Sequence, residues 1–116
     1  MSIESELALA LFDAFPVAEG HTLVIPKQHV VSLFDLPERD LAEVWRLVVK
    51  VRAKLMADLK PDGFNVGVND GQAAGQTVMH AHIHVIPRRK GDVADPRGGV
   101  RWIFPDKAPY WAVSNK

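Results

Sequence analysis

The sequence predicts one small domain of mixed helix and strand, and three observations carry that reading. Short apolar runs are cut off by glycine and proline, one long segment repeats its apolar residues every three or four positions, and three histidines alternate just before Pro87. With 116 residues the chain can bury about two-thirds of the surface its unfolded form exposes. Fourteen basic and fourteen acidic side chains cancel, which argues against a general nucleic-acid or anionic-membrane surface. Cysteine is absent, which removes disulfides, thiolate catalysis and Cys-based zinc sites. No long apolar run, signal-like start or internal repeat stands out, so a cytoplasmic chain off the membrane is expected.

Taken in order, residues 6–13 alternate Leu7, Leu9 and Leu11 with small side chains and read as a first strand, although alanine and leucine also accept a helix. Asp13 closes that run. Pro16 and Gly20 punctuate the connection into His21-Thr-Leu-Val-Ile-Pro26, a second strand, so the two runs form a hairpin. His29, just beyond, reads as a loop or surface residue without chemistry. From Pro37 to about Leu59 the residues Leu41, Val44, Trp45, Val48, Val51, Leu55 and Leu59 form one apolar stripe of a helix, with Pro37 in its first turn and Trp45 in the core. Residues 64–69 alternate Phe64, Val66 and Val68 with Asn65, Gly67 and Asn69, which predicts another strand. The loop over 70–78 is long for a hairpin connection. Gly71 and Gly75 allow close backbone approach there, while Gln76 and Thr77 offer donors suited to an anion.

His80, His82 and His84 follow. On a strand they share one face, with Met79, Ala81, Ile83 and Val85 on the other, toward the core. A helix would scatter the rings, and Pro87 would break its next turn. Clustering titratable rings costs stability through desolvation and repulsion of their charged forms, so chemistry is the better reading than chance. Two chemistries stay open: a metal site, or a neutral imidazole acting as nucleophile. The metal reading is short of ligands, since no carboxylate or cysteine is expected nearby. Arg88-Arg89-Lys90 then forms a cationic cluster close to the anion loop, and the tail, with Trp102, Phe104, Tyr110 and Trp111, is too aromatic for a disordered appendage.

The run from Gly75 to Arg88, preceded in order by Gly20–Pro26 and Asn69, resembles the signature of the histidine-triad (HIT) family over nearly the whole chain from Leu7. It is most similar to bacterial members near the fragile-histidine-triad, dinucleoside polyphosphate hydrolase branch, a likeness that Pro87-Arg88 and Gly98-Gly99-Val100-Arg101-Trp102 extend. The resemblance implies an α+β fold: an antiparallel sheet of about five strands and one main helix, with residues 1–116 as a single HIT domain. Two copies would pair across a two-fold axis into a homodimer with a ten-stranded sheet, and the tail over about 91–116 would pack on its own domain or on the partner.

The resemblance also implies a nucleotide as the partner molecule and hydrolysis or transfer at the α-phosphorus of purine nucleotide conjugates, either dinucleoside polyphosphates or nucleoside phosphoramidates. His82 would form a covalent nucleotidyl intermediate that water cleaves, supported by His84, His80 and His21. Asn69, Gly75, Gln76 and Thr77 would hold phosphate oxygens and Asp13 the ribose hydroxyls. Leu9 and Leu11, with Phe12 or Ile25, would form the apolar base site. No metal or cofactor is required on this reading, with Mg²⁺ allowed as a counter-ion of the substrate. Many relatives carry a further N-terminal segment against the base pocket, where here Met1–Ser5 precede the first expected strand, which leaves base preference open. The alternative is a nucleotide-binding module with negligible turnover.

Overall fold

Small side chains on one face of a strand let a helix lie close against it, and Ala8 and Ala10 do so here, both fully buried. The computed structural model describes residues 2–112. Its strands are β1 (Ser2–Glu4), β2 (Ala8–Phe12), β3 (Thr22–Pro26), β4 (Gly63–Gly67) and β5 (Ile83–Arg88), with the helix α1 (Glu38–Leu59) between β3 and β4. They form one five-stranded antiparallel sheet in the order β1-β2-β3-β5-β4. The α+β architecture of five strands and one main helix is therefore the one expected.

The period-2 rule sorts the sheet into two faces. Ala10, Val24 and Ile83 stand opposite one another across β2, β3 and β5, and all three are fully buried against α1. The helix supplies Val44, Leu47, Val48, Val51 and Leu55 to the same core. Leu47 completes this stripe in place of Trp45, which lies on the helix flank and is 42% exposed. Pro37 sits one position outside the helix as its N-cap rather than in the first turn. Lys60 ends the helix in the left-handed conformation, and the Arg89 guanidinium donates to the carbonyls of Leu59 and Lys60 there. The other face of the sheet carries Leu9, Leu11, Leu23, Ile25 and His84, all half-buried and turned away from the α1 core.

Two local devices hold the N-terminal half. β1 was not expected; Ile3 pairs with Ala10 and packs on the core, and the turn behind it is pinned by Glu43, whose carboxylate accepts from the Ser5 hydroxyl and the Leu7 amide, each at 2.7 Å. Those bonds favour the ionised form and hold Glu43 below the usual carboxylate range. Gly20 has φ +87°, and a Cβ there would stand 2.6 Å from Leu59 Cδ1. Only glycine allows both the turn and the close approach that starts β3 at the right place.

The tail folds largely on itself through short helical turns at Gly99–Ile103 and Tyr110–Ala112. Arg101 donates to the carbonyls of Lys107 and Ala108 and lies 4.7 Å over the Tyr110 ring, while Arg97 lies 4.7 Å over Trp111. It meets the sheet where Gly99 abuts the Asn65 side chain of β4. The expected packing of residues 113–116 lies outside the described residues. Among the described residues no helix is long and apolar enough to cross a membrane.

Candidate active site

β3 and β5 are neighbours with Leu23 opposite His84, which brings His21, just ahead of β3, against the start of β5. His21 is buried at 3% exposure, and its Nε2 is 2.9 Å from His84 Nδ1. On the far side of His84, Gly67 of β4 presents no side chain and leaves open space. The ring of His82 stands 5.0 Å from that of His84, tilted by 72°.

The strand does not run through all three alternating histidines. β5 begins at Ile83, because the Ala81 amide donates to the Val30 carbonyl of the loop after β3, at 2.8 Å, instead of to a strand neighbour. Alternation of burial nonetheless survives: Ala81, Ile83 and Val85 are buried, and His80, His82 and His84 are half-buried on the opposite side. Met79 breaks the expected pattern, at 38% exposure rather than in the core.

Carbonyl partners identify the proton positions of two rings. His82 Nδ1 is 2.9 Å from the His80 carbonyl, which can only accept, so in the neutral ring the hydrogen sits on Nδ1 and the lone pair on Nε2. His80 Nε2 donates to the Pro26 carbonyl at 2.8 Å, so His80 Nδ1 is an acceptor for His29 Nδ1, 3.0 Å away. His29 is therefore not an idle surface residue; it orients His80. No spacing rule could have found it, since its partner lies 51 positions away.

The glycine loop is shaped as expected but its side chains divide. Gly71 and Gly75 take φ +99° and +96°, conformations open to glycine. Gln76 is buried; its Oε1 accepts from the Gly71 amide, and its Nε2 donates to the Val31 and Val78 carbonyls at 2.8 and 3.0 Å. Both amide protons are thus engaged, and Gln76 staples the loop instead of offering a free donor. Thr77 and Asn69 are exposed, with Asn69 beside Gly75. The cationic cluster is also engaged away from the histidines. Arg88 binds Asp92 and Asn65, and Arg89 binds the end of α1.

Asp13 does turn chemistry and more. Its Oδ1 accepts from the Phe15 amide at 2.9 Å, and its Oδ2 lies 3.4 Å from His21 Nε2. A carboxylate does stand among the imidazoles, contrary to the expectation from sequence. Asp13, His21 and His84 bring ligand atoms within 4.8 Å of one another, a set able to hold a metal ion on distance alone. Desolvation lowers the His21 pKa against the pull of Asp13, and it lowers that of His84 with help from repulsion by His82 and His21. Leu9 and Leu11 lie on the same face, paired with Ile25 and Leu23, so the four form an apolar floor beside the imidazoles.

The HIT domain family matches residues 1–91. The chain is 47% identical over 85 residues to an uncharacterized HIT-like protein of Mycoplasma genitalium, covering 73% of this chain and 60% of that protein. It is 39% identical over 88 residues to the bis(5'-adenosyl)-triphosphatase of Dictyostelium discoideum, covering 76% of this chain and 59% of that one. It therefore spans about three-fifths of the length of these relatives. The crystal structure of a HIT family protein from Bacillus anthracis superposes with a TM-score of 0.74 at 41% identity, over 78% of this chain and 64% of the other. Fold, histidine order and these matches agree, and the chain belongs to the HIT family.

Proposed function

We propose that this domain hydrolyses or transfers nucleotides at the α-phosphorus of purine nucleotide conjugates, dinucleoside polyphosphates or nucleoside phosphoramidates, through His82. The observation that carries the reading is the His82 Nδ1 bond to the His80 carbonyl, which in the neutral ring places the nucleophilic lone pair on Nε2, on the half-buried face. In the first step the Nε2 electron pair forms a bond to phosphorus while the bond to the leaving group breaks, its electrons departing with that group. In the second, water attacks phosphorus and releases a proton to solvent, the phosphorus–nitrogen bond breaks, and its electron pair returns to His82 Nε2. Asn69 and Thr77, exposed beside the Gly75 turn, bind phosphate oxygens, Asp13 takes ribose hydroxyls, and the Leu9, Leu11, Leu23 and Ile25 floor receives the base. The name of the Dictyostelium relative supports a dinucleoside polyphosphate as one substrate class. The reading requires no metal and allows Mg²⁺ as the substrate's counter-ion. A homodimer fits the same reading, since β4 ends the sheet and, among the described residues, no further strand pairs with its outer edge.

The test is to trap radiolabelled nucleotide on the intact protein and map the labelled side chain. Label on His82, and net retention with a chiral phosphorothioate substrate, are expected. Label on another residue, or inversion, overturns the covalent route. The engagement of both Gln76 amide protons favours a second reading, a nucleotide-binding module with negligible turnover. Tight binding of diadenosine polyphosphates without product in a single-turnover assay would select it.

A further inference from the structure

The backbone amide of Val17 points at His21 Nδ1 across 3.2 Å. An amide can only donate, so Nδ1 carries the lone pair and the single proton of neutral His21 stands on Nε2. That nitrogen lies 2.9 Å from His84 Nδ1. Accepting that hydrogen bond puts the lone pair of neutral His84 on Nδ1, and its own hydrogen must then stand on Nε2. His82 has the reverse order, with its proton on Nδ1 against the His80 carbonyl. Two rings whose centres are 5.0 Å apart therefore present opposite characters. His82 Nε2 is a lone pair and His84 Nε2 is a donor.

We propose that the Val17 amide is a positioning group that sets this proton order, so that His84 offers a hydrogen bond to a phosphate oxygen while His82 offers its electron pair to phosphorus. The proposal rests on the reading of the site as a nucleotidyl-transfer centre. No proton changes hands in it: the His84 N–H stabilises charge that builds on the phosphate oxygens, where the opposite tautomer would aim a lone pair at them. Burial supports it by holding His21 and His84 in their neutral forms, in which tautomer choice matters. The same proton order bears on the Asp13, His21 and His84 cluster. A neutral imidazole that binds a metal through Nε2 carries its hydrogen on Nδ1, where it would collide with the Val17 amide hydrogen.

Nitrogen-15 NMR of the intact labelled protein reads the tautomers directly. His21 and His84 are expected to be protonated on Nε2 and His82 on Nδ1; a wild-type spectrum with the His84 proton on Nδ1 overturns the proposal. Val17→Ala keeps the amide and should keep both the spectrum and kcat. Val17→Pro removes the amide hydrogen and should mix the His21 and His84 tautomers and lower kcat about tenfold to a hundredfold with little change in KM. A folded Val17→Pro protein with the wild-type spectrum and kcat also overturns it, and if that variant does not fold, the wild-type spectrum still decides the proton order. Should no nucleotide be turned over by any form, the proposed function falls while the spectrum judges the proton order separately.

Discussion

The imidazole of His82 donates a hydrogen bond through Nδ1 to a carbonyl two residues back, and its reactivity follows from that bond. The ring is half-buried just ahead of β5, on the side opposite the buried Ala81 and Ile83, so removing it opens no hole in the core. His82→Ala is therefore expected to fold with an unchanged melting temperature and to lose more than about a thousandfold in kcat, because no neighbouring group replaces a covalent nucleophile. Wild-type turnover in that variant, or a collapsed fold, counts against the assignment. Gln76 behaves differently because it is buried and makes three hydrogen bonds to the loop and to Val31. Gln76→Ala strands their backbone partners and should cost about 1–3 kcal/mol. Chemical denaturation measures this, and an unmoved midpoint would mean that the staple is idle.

At the level of elements, what sequence could show depended on whether the deciding contact was local. The apolar period of α1, the alternating leucines of β2, the apolar run of β3, the existence of β4 and the opposed faces of Ala81–Val85 are local properties, and they were legible. The start of β5 was not, because the Ala81 amide is drawn to Val30, far back in the chain. Neither was the side of the helix that takes Leu47 over Trp45, since the flank of a stripe is chosen by what packs on it. β1 is three residues long and exists because β2 and Glu43 hold it, a debt to distant groups that its own sequence does not show. In the site, the histidine run and glycine loop were legible, while His29 and the Val17 amide were hidden by the same non-locality. Ile83 joins the two levels: fully buried and opposite Val24, it is the first residue of the strand whose next member is His84. Ile83→Ala should cost about 2–5 kcal/mol by leaving a cavity under α1. Urea unfolding gives the figure, and a cost below about 1 kcal/mol, the range of tolerated surface changes, would mean that the helix does not bear on this strand.

For the whole molecule, the site makes stability depend on pH. His21 and His84 have ordinary values of 6.5 and are lowered in the fold, first by desolvation. As pH falls through 6.5 the unfolded chain takes up protons that the native chain still refuses. The unfolded state then binds more protons, so stability declines with falling pH until the native rings titrate, and is flat with respect to these groups beyond that. A second decline belongs to carboxylates lowered by their partners, Glu43 by Ser5 and Leu7, and Asp92 by Arg88, and it starts at lower pH, near their ordinary values of 4.5 and 3.8. Thermal melting from pH 8 to pH 3 should therefore fall in two stages, with the upper stage reduced when His84 is replaced by glutamine, which cannot titrate. A melting temperature that holds level between pH 7 and pH 5 would show that burying two imidazoles side by side carries no proton-linked cost, and the neutral forms on which the proposed chemistry depends would then need another source.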